Sequence, residues 1–457
     1  MSEATSTADI VVIGMGPAGE SVAGQLAEAG LSVVGIDREL VGGECPYWGC
    51  VPSKMMIRAA DLLAEARRVP GMAGKVEVIP DWSHVAERIR AEATDNWDDT
   101  VAVDRFEGKG GRFLRGHGTI VGDGLVRVGD ETIRATGGIV LATGTSAAVP
   151  PIPGLVDTPY WTNREAIQVE ELPASIIVLG GGAIGAELAQ VFARFGVEVT
   201  IVEAQDRLLP LEEPEVGGAL ADVFAVEGIN VHVGSFASKV GYERRRFAVE
   251  LAAGSELEAD ELLVATGRRV NLAGLGVEHI GLDPQGRAVD VDEHLRAADR
   301  VWAVGDLTGE GAFTHVGVYQ AAIAVADILG RVHEPASYAA LSRVTFTDPE
   351  VGAVGLTEQQ ARDAGHDVAV ALQRVPHTAR GWLHKAGNDG VIKLVADRST
   401  GTLVGATVAG PNGGEVLGLL SLAVHARVPI AQLRTMIYAY PTFHRGIEDA
   451  VGRLDLD

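Results

Sequence analysis

A strand, glycine loop, helix and strand unit occurs twice in this 457-residue chain, and this repeat constrains the fold more than any other feature. The first copy opens with Asp9 to Gly19, DIVVIGMGPAG, which carries Gly14-x-Gly16-x-x-Gly19; a helical pattern over Glu20 to Glu28 and a strand over Ser32 to Ile36 follow, closed by Asp37. The second copy, Ser175 to Gly185, reads SIIVLGGGAIG with Gly180-x-Gly182-x-x-Gly185, a helix through Phe195 and a strand from Glu198 to Val202 ending at Glu203. In each copy the acid lies 23 residues after the first glycine. Glycines at this spacing permit a tight turn and the close approach of a pyrophosphate to a helix N-terminus, and the acid accepts hydrogen bonds from ribose hydroxyls. Two such units imply two bound dinucleotides, and the chemical reason to hold two is electron transfer between them. Glu203 favours a free 2′-hydroxyl over a 2′-phosphate, so NAD(H) is the expected nicotinamide cofactor; Arg207 nearby keeps NADP(H) open.

Three further apolar strands deliver their ends to a glycine, where open α/β sheets bind ligands: Ile139 to Gly144, Leu262 to Gly267 and Val301 to Asp306. Asp306 there is either a turn carboxylate or a ligand contact. After Pro335 the pattern changes to alternating strands and turns: Arg343 to Phe346, Val391 to Val395 and Leu403 to Val408, the last two joined through Arg398 to Gly401, then a helix over Glu415 to His425. The formal net charge of −24 argues against a nucleic-acid partner. No apolar run is long enough to span a membrane. The N-terminus, MSEATSTAD, lacks the basic and apolar regions of a secretory signal, so a cytoplasmic protein is expected.

The only two cysteines, Cys45 and Cys50, lie in GGECPYWGCVPSK, directly after the first nucleotide unit. In a regular helix residues five apart are roughly 8.6 Å apart at Cα, beyond the ~4.4–6.8 Å of a disulfide. A bridge therefore needs a broken turn, which Pro46, Gly49 and Pro52 make accessible. The plainer reading is a pair of reduced, inert thiols; the position after a dinucleotide unit favours a redox pair. A structural zinc site is not expected, because there is no third cysteine and no histidine between Asp9 and Trp82.

Taken together, these motifs resemble the pyridine nucleotide-disulfide oxidoreductases that carry flavin, the family of dihydrolipoamide dehydrogenase, glutathione reductase and mercuric reductase. The resemblance covers essentially the whole chain. It implies an α/β fold with two Rossmann-like dinucleotide-binding domains, for FAD and NAD(P), and a C-terminal α+β dimerisation domain. The expected boundaries are 1–150 and 271–335 for the FAD-binding parts, 151–270 for the NAD(P) domain and 336–457 for dimerisation. It implies that Cys45 is the interchange thiol and Cys50 the thiol beside the flavin. Lys54 is paired with Glu187 near the flavin, Asp306 is on the ribityl chain, and Gly144 and Gly267 are at the cofactor strands. A homodimer and a small-molecule electron acceptor follow from the same resemblance.

One departure bears on the acceptor. Family disulfide reductases carry a His-Pro-Thr-x-x-Glu acid/base motif near the C-terminus, but here Tyr440 stands at the histidine position and Arg445 at the glutamate position. Mercuric reductases resemble this chain in having a tyrosine, yet they add a C-terminal cysteine pair that is lacking here. His444, four residues before Glu448 on a helical pattern, is the candidate replacement base, and a surface or interface histidine is the plainer reading. The expected function is FAD-dependent NADH oxidation with electrons passing through Cys45–Cys50 to an acceptor. Alternatives are direct reduction of a quinone or other acceptor from flavin, and a non-catalytic nucleotide-sensing flavoprotein.

Overall fold

The computed structural model describes residues 4–456; Met1–Glu3, which form part of the segment read for a secretory signal, and Asp457 lie outside them. The described residues form two compact units, one built from the chain through Pro52 with Glu87–Ala147 and Arg268–Ser337, the other from Ser53–Ala86, Ala148–Gly267 and Tyr338 onward.

The first unit centres on a mixed sheet whose spatial order is Arg296–Ala298, Val301–Ala303, Glu131–Leu141, Ser6–Ile13, Val33–Asp37 and Arg112–Arg115. Ser6–Ile13 pairs in parallel with both neighbours. Alternation places Ile10 and Val12 in one buried cluster, with Val22, Leu26 and Ala324 of two helices, and Val11 and Ile13 in another on the opposite face. Burial on both faces is why this strand reads as an uninterrupted apolar run. The glycine-loop helix Pro17–Glu28 lies against the helix Thr314–Ile328 on the first of these faces.

The second unit contains a four-stranded parallel sheet, Asn230–His232, Glu198–Val202, Ser175–Leu179 and Glu261–Val264, which is the repeat of the first nucleotide unit. It also contains a five-stranded antiparallel sheet, Ser342–Thr345, Glu350–Gly355, Thr402–Gly410, Val391–Asp397 and Val368–Arg374. The helices Gly413–His425 and Phe443–Gly452 cover that sheet through Leu417, Leu420, Ile447 and Val451. The expected hairpin through Arg398 to Gly401 is present, joining Val391–Asp397 to Thr402–Gly410.

The three strands expected to run into a glycine stop earlier, at Leu141, Val264 and Ala303. The next residue of each, Ala142, Ala265 and Val304, still donates to the neighbouring strand, and the chain has left the sheet by Gly144, Gly267 and Gly305, whose positive φ of 60°, 125° and 80° lies outside the strand region. Among the described residues no helix is long and apolar enough to cross a membrane.

Candidate active site

The two nucleotide loops are built alike to the level of single hydrogen bonds. Asp37 Oδ2 accepts from the Met15 amide at 2.7 Å and Oδ1 from the Glu39 amide at 2.8 Å. Glu203 does the same, Oε2 accepting from Gly181 at 2.6 Å and Oε1 from Gln205 at 2.7 Å. In each copy the acid thus clamps the residue after the first glycine and the residue two beyond itself. Burial pushes the Asp37 carboxyl up, against the amide bonds from Met15 and Glu39. Each carboxylate oxygen retains a second lone-pair direction for a ribose hydroxyl.

Backbone approach in both loops is too close for a side chain. A Cβ on Gly19 would lie 1.9 Å from the Gly14 carbonyl oxygen, and one on Gly185 would lie 2.0 Å from that of Gly180. The first glycines, with φ of 97° and 106°, rest on the carbonyls of Ala142 and Ala265, which places the two Ala-Thr-Gly segments in equivalent positions under the loops. Gly16 and Gly182 cap their helices with no side-chain hydrogen bond. These helix N-termini, each preceded by a glycine-rich loop, fit a pyrophosphate. Arg207, the residue that left NADP(H) open, gives its guanidinium to Asp206 at 2.9 Å and to the Pro210 carbonyl at 3.0 Å. Glu203→Ala is therefore expected to erode NADH preference by about tenfold or more, the worth of a charge-assisted hydrogen bond; the check is the ratio of kcat/KM values for NADH and NADPH. A parent enzyme that prefers NADPH would contradict the assignment.

The cysteines sit where the helix breaks. A single turn, Glu44–Tyr47, stops at Trp48, and a new helix starts at Cys50 and runs to Arg68. That break lets the two thiols hydrogen-bond to each other, which one regular helix forbids. The Cys45 thiol is held far above its ordinary range, first by its hydrogen bond to Cys50 and then by burial, with the Thr314 hydroxyl opposing. Two thiols that hydrogen-bond to each other titrate as a pair rather than one by one. Cys50 is the exposed one of the two, and its Sγ lies 3.6 Å from Thr314 Oγ1 at the start of the helix Thr314–Ile328. Asp306 Oδ2 accepts from the Thr145 hydroxyl at 2.7 Å, and Thr145 in turn accepts from Arg268 at 2.7 Å. Asp306 lies in a turn, Gly305–Thr308, whose first amide donates to the buried Gln320 side chain at 2.6 Å.

Trp97 was not visible as a site residue in the sequence. Its indole Nε1 donates to the Tyr47 carbonyl, inside the cysteine loop, at 3.3 Å. It arrives there on three successive left-handed residues, Asp95, Asn96 and Trp97, with φ of 48°, 58° and 58°, after a wide π-turn over Ile89–Ala93. Asp and Asn enter this region readily, whereas a tryptophan does so only where its surroundings impose it. Tyr47 is buried and Trp48 half-buried against it, ring centroids 5.8 Å apart, so the bulky insertion between the cysteines is packed into the fold.

In the second unit Lys54 Nζ lies 2.8 Å from Glu187 Oε2, while Glu187 Oε1 accepts from the Phe346 amide at 2.8 Å. Lys54 also stands over the Phe346 ring at 4.7 Å. Further along the same two helices, Arg194 pairs with Asp61 at 2.6 Å and with Glu227 and Asp348 at 2.7 Å each. Asp348 is shared with Arg68 at 2.6 Å. Lys54 and Asp61, seven residues apart on one helix, thus pair with Glu187 and Arg194, seven residues apart on the other.

The tail departs from the expected pairing. Glu448 is held by Arg445 at 2.9 Å, and Asp449 by the same guanidinium at 3.0 Å, so the carboxylate anticipated for His444 belongs to Arg445. An i,i+3 guanidinium outcompetes an i,i+4 imidazole because it is always charged. His444 is half-buried on the first turn of the helix Phe443–Gly452, and Tyr440 is 73% exposed.

Two glycine-loop nucleotide sites and a thiol pair at a helix break define a flavin- and nicotinamide-linked thiol oxidoreductase. Family models agree: residues 8–326 match the pyridine nucleotide-disulphide oxidoreductase model and residues 341–451 match the dimerisation domain of that family. The chain belongs to the pyridine nucleotide-disulphide oxidoreductases. A mercuric reductase of Staphylococcus aureus is 31% identical over 98% of this chain and 83% of its own. A dihydrolipoyl dehydrogenase of Chlorobaculum tepidum is 34% identical over 97% of this chain and 96% of its own. Among solved structures, the Cu(II) complex of the HOCl-induced flavoprotein disulfide reductase RclA from Escherichia coli superposes with a TM-score of 0.86 at 27% identity, covering 98% of this chain and 99% of that one. The protein is thus an oxidoreductase that uses FAD and a pyridine nucleotide, with electrons passing from NAD(P)H through FAD to a disulfide.

Proposed function

We propose that this chain is a cytoplasmic, homodimeric NADH oxidoreductase in which Cys45 and Cys50 form the redox pair and reduce a thiophilic metal ion. The observation that carries this reading is the tail: Tyr440 and Arg445 stand where an acid/base pair would serve a leaving thiol, and Arg445 is tied to Glu448 and Asp449. Relatives whose names include mercuric reductase, and a reductase solved with Cu(II), support the choice of acceptor.

FAD would be held by the Gly14–Gly19 loop, Asp37 and Asp306, and NADH by the Gly180–Gly185 loop and Glu203. When bound, FAD supplies the exchange between a two-electron hydride donor and the sulfur pair. The protein's part is to place and charge the sulfurs. Cys50, at the first position of its helix, gains from the helix dipole as a thiolate, while Cys45 retains the proton. Lys54 is fixed by Glu187 as a localised positive charge. At the metal the two sulfurs rejoin as a disulfide, the one proton left on Cys45 leaves, and two electrons go to one two-electron ion or two one-electron ions. Soft cations bind thiolates directly and require no proton from the tail.

A small disulfide is different, because its departing thiolate needs a proton, and a positioned acid is worth ~10²–10⁴ in rate. Dimerisation through the C-terminal domain is supported by its match to the family's dimerisation model and by exposed Trp382, Leu422, Ile437 and Tyr440.

The test is an acceptor screen on the FAD-loaded protein with Cu(II), Hg(II), a naphthoquinone, lipoamide and glutathione disulfide. Metal turnover is expected to exceed disulfide turnover, and Tyr440→His is expected to raise lipoamide turnover. Efficient lipoamide reduction by the parent, lost in His444→Ala, would show His444 to be the base and overturn the proposal. Quinone turnover that exceeds metal turnover and survives loss of both cysteines would move transfer to the flavin itself.

A further inference from the structure

A second cluster of ligating side chains lies apart from the thiols, at the far end of the helix that begins at Thr314. His294, Asp327 and His333 each present one donor atom, and all three donors lie within 4.8 Å of one another. Donors ~2.1 Å from one tetrahedral ion lie roughly 3.4 Å apart, so side-chain rotations that move the donors together by about an ångström close the set.

The surroundings suit imidazole ligation. His333 Nδ1 lies 2.9 Å from the Glu334 carbonyl oxygen, and as donor to it leaves Nε2 bare and directed at Asp327 Oδ1, 3.9 Å away. A backbone carbonyl on the second ring nitrogen is the usual support of a metal-binding histidine. His294 Nδ1 is shut off from solvent and has no hydrogen-bond partner, an uncompensated acceptor or donor that an ion would satisfy. The two rings meet edge to face with centroids 5.0 Å apart. Asp327 is oriented by Arg296 at 2.7 and 2.8 Å and by the Trp302 indole at 2.7 Å, which fixes its carboxylate but also spends much of its charge. The histidines are therefore the principal donors and Asp327 the third. Glu293, 3.7 Å from His294 Nε2, adds negative charge beside the site.

We propose that His294, His333 and Asp327 bind one borderline divalent cation of the Zn(II), Ni(II) or Cu(II) class, at a site independent of Cys45 and Cys50. Two imidazoles and a carboxylate select such ions over Mg(II) or Ca(II).

The experiment uses untagged, FAD-loaded protein carrying Cys45→Ser and Cys50→Ser, so that thiols cannot bind the probe. Co(II) and Zn(II) titrations are expected to give about one equivalent bound, with visible Co(II) bands of nitrogen and oxygen ligation. His294→Ala and His333→Gln are each expected to lower the affinity tenfold or more, about the loss seen on disturbing even the supporting shell of a metal site. His333→Gln retains a donor for the Glu334 carbonyl, and metal-free melting curves establish that both variants fold. No uptake by the parent, uptake undiminished in both histidine variants, or Mg(II) bound as tightly as Zn(II) would each overturn the proposal.

Discussion

Replacing Cys50 by serine is expected to reduce acceptor turnover through the thiol pair by about 10³-fold or more, as removal of a reacting nucleophile does, while NADH still binds. Cys45→Ser should cost about as much, because the two sulfurs act as a unit. The variants differ spectroscopically. Cys50 opens its helix and is the proposed thiolate, so limited reduction should produce a long-wavelength thiolate-to-flavin absorption in the parent and in Cys45→Ser, and none in Cys50→Ser. Absorption that persists in Cys50→Ser would assign the charge to Cys45 and reverse the roles of the two sulfurs. Turnover that is unaltered in the double variant would remove the pair from the path.

Arg194→Met is expected to destabilise the folded chain by ~3–5 kcal/mol, the penalty for removing one member of a buried ion cluster. The Arg194 side chain is 3% exposed and serves Asp61, Glu227 and Asp348 at once; Asp348 is also bonded by Arg68, while Arg58 acts on Asp61 through its charge. The methionine retains most of the volume, so the loss measures charge rather than packing.

The effect has a pH dependence. Burial pushes the Asp61 carboxyl up from 3.8 to about 6, with Arg194 opposing. The folded state therefore holds more protons than the unfolded one between those values, and this group's contribution to stability falls as pH rises through that window. Loss of Arg194 leaves Asp61 with a stronger reason to stay protonated. Denaturant midpoints for parent and variant should thus lie closer together at pH 5 than at pH 8. A gap that is equal at both would show that Asp61 does not take part in the cluster's balance.

The sequence alone determined the repeated nucleotide unit, since glycine spacing, strand alternation and the acid at the end of the second strand are local properties of a short segment. It also located the thiol pair, the C-terminal sheet and the departure at Tyr440 and Arg445, because each is a matter of residue type at a position. It misjudged where three strands end, as the strand residues are apolar up to the glycine and only backbone φ marks the exit. It offered Glu448 as a partner for His444 beside the plainer reading of a surface histidine, and the fold gave Glu448 to Arg445, because helical spacing admits both partners and only side-chain geometry chooses. What no local reading could contain is the set of contacts between distant residues. Lys54 reaches Glu187 across 133 positions, a pairing that the family resemblance implied; Cys50 reaches Thr314 across 264, and Trp97 enters the cysteine loop through a left-handed turn that suits Asp95 and Asn96 but not an indole-bearing residue. His294, Asp327 and His333 carry no recognisable spacing. Such groupings exist only once hydrophobic burial has stacked the sheets and helices, so the tertiary structure decided them.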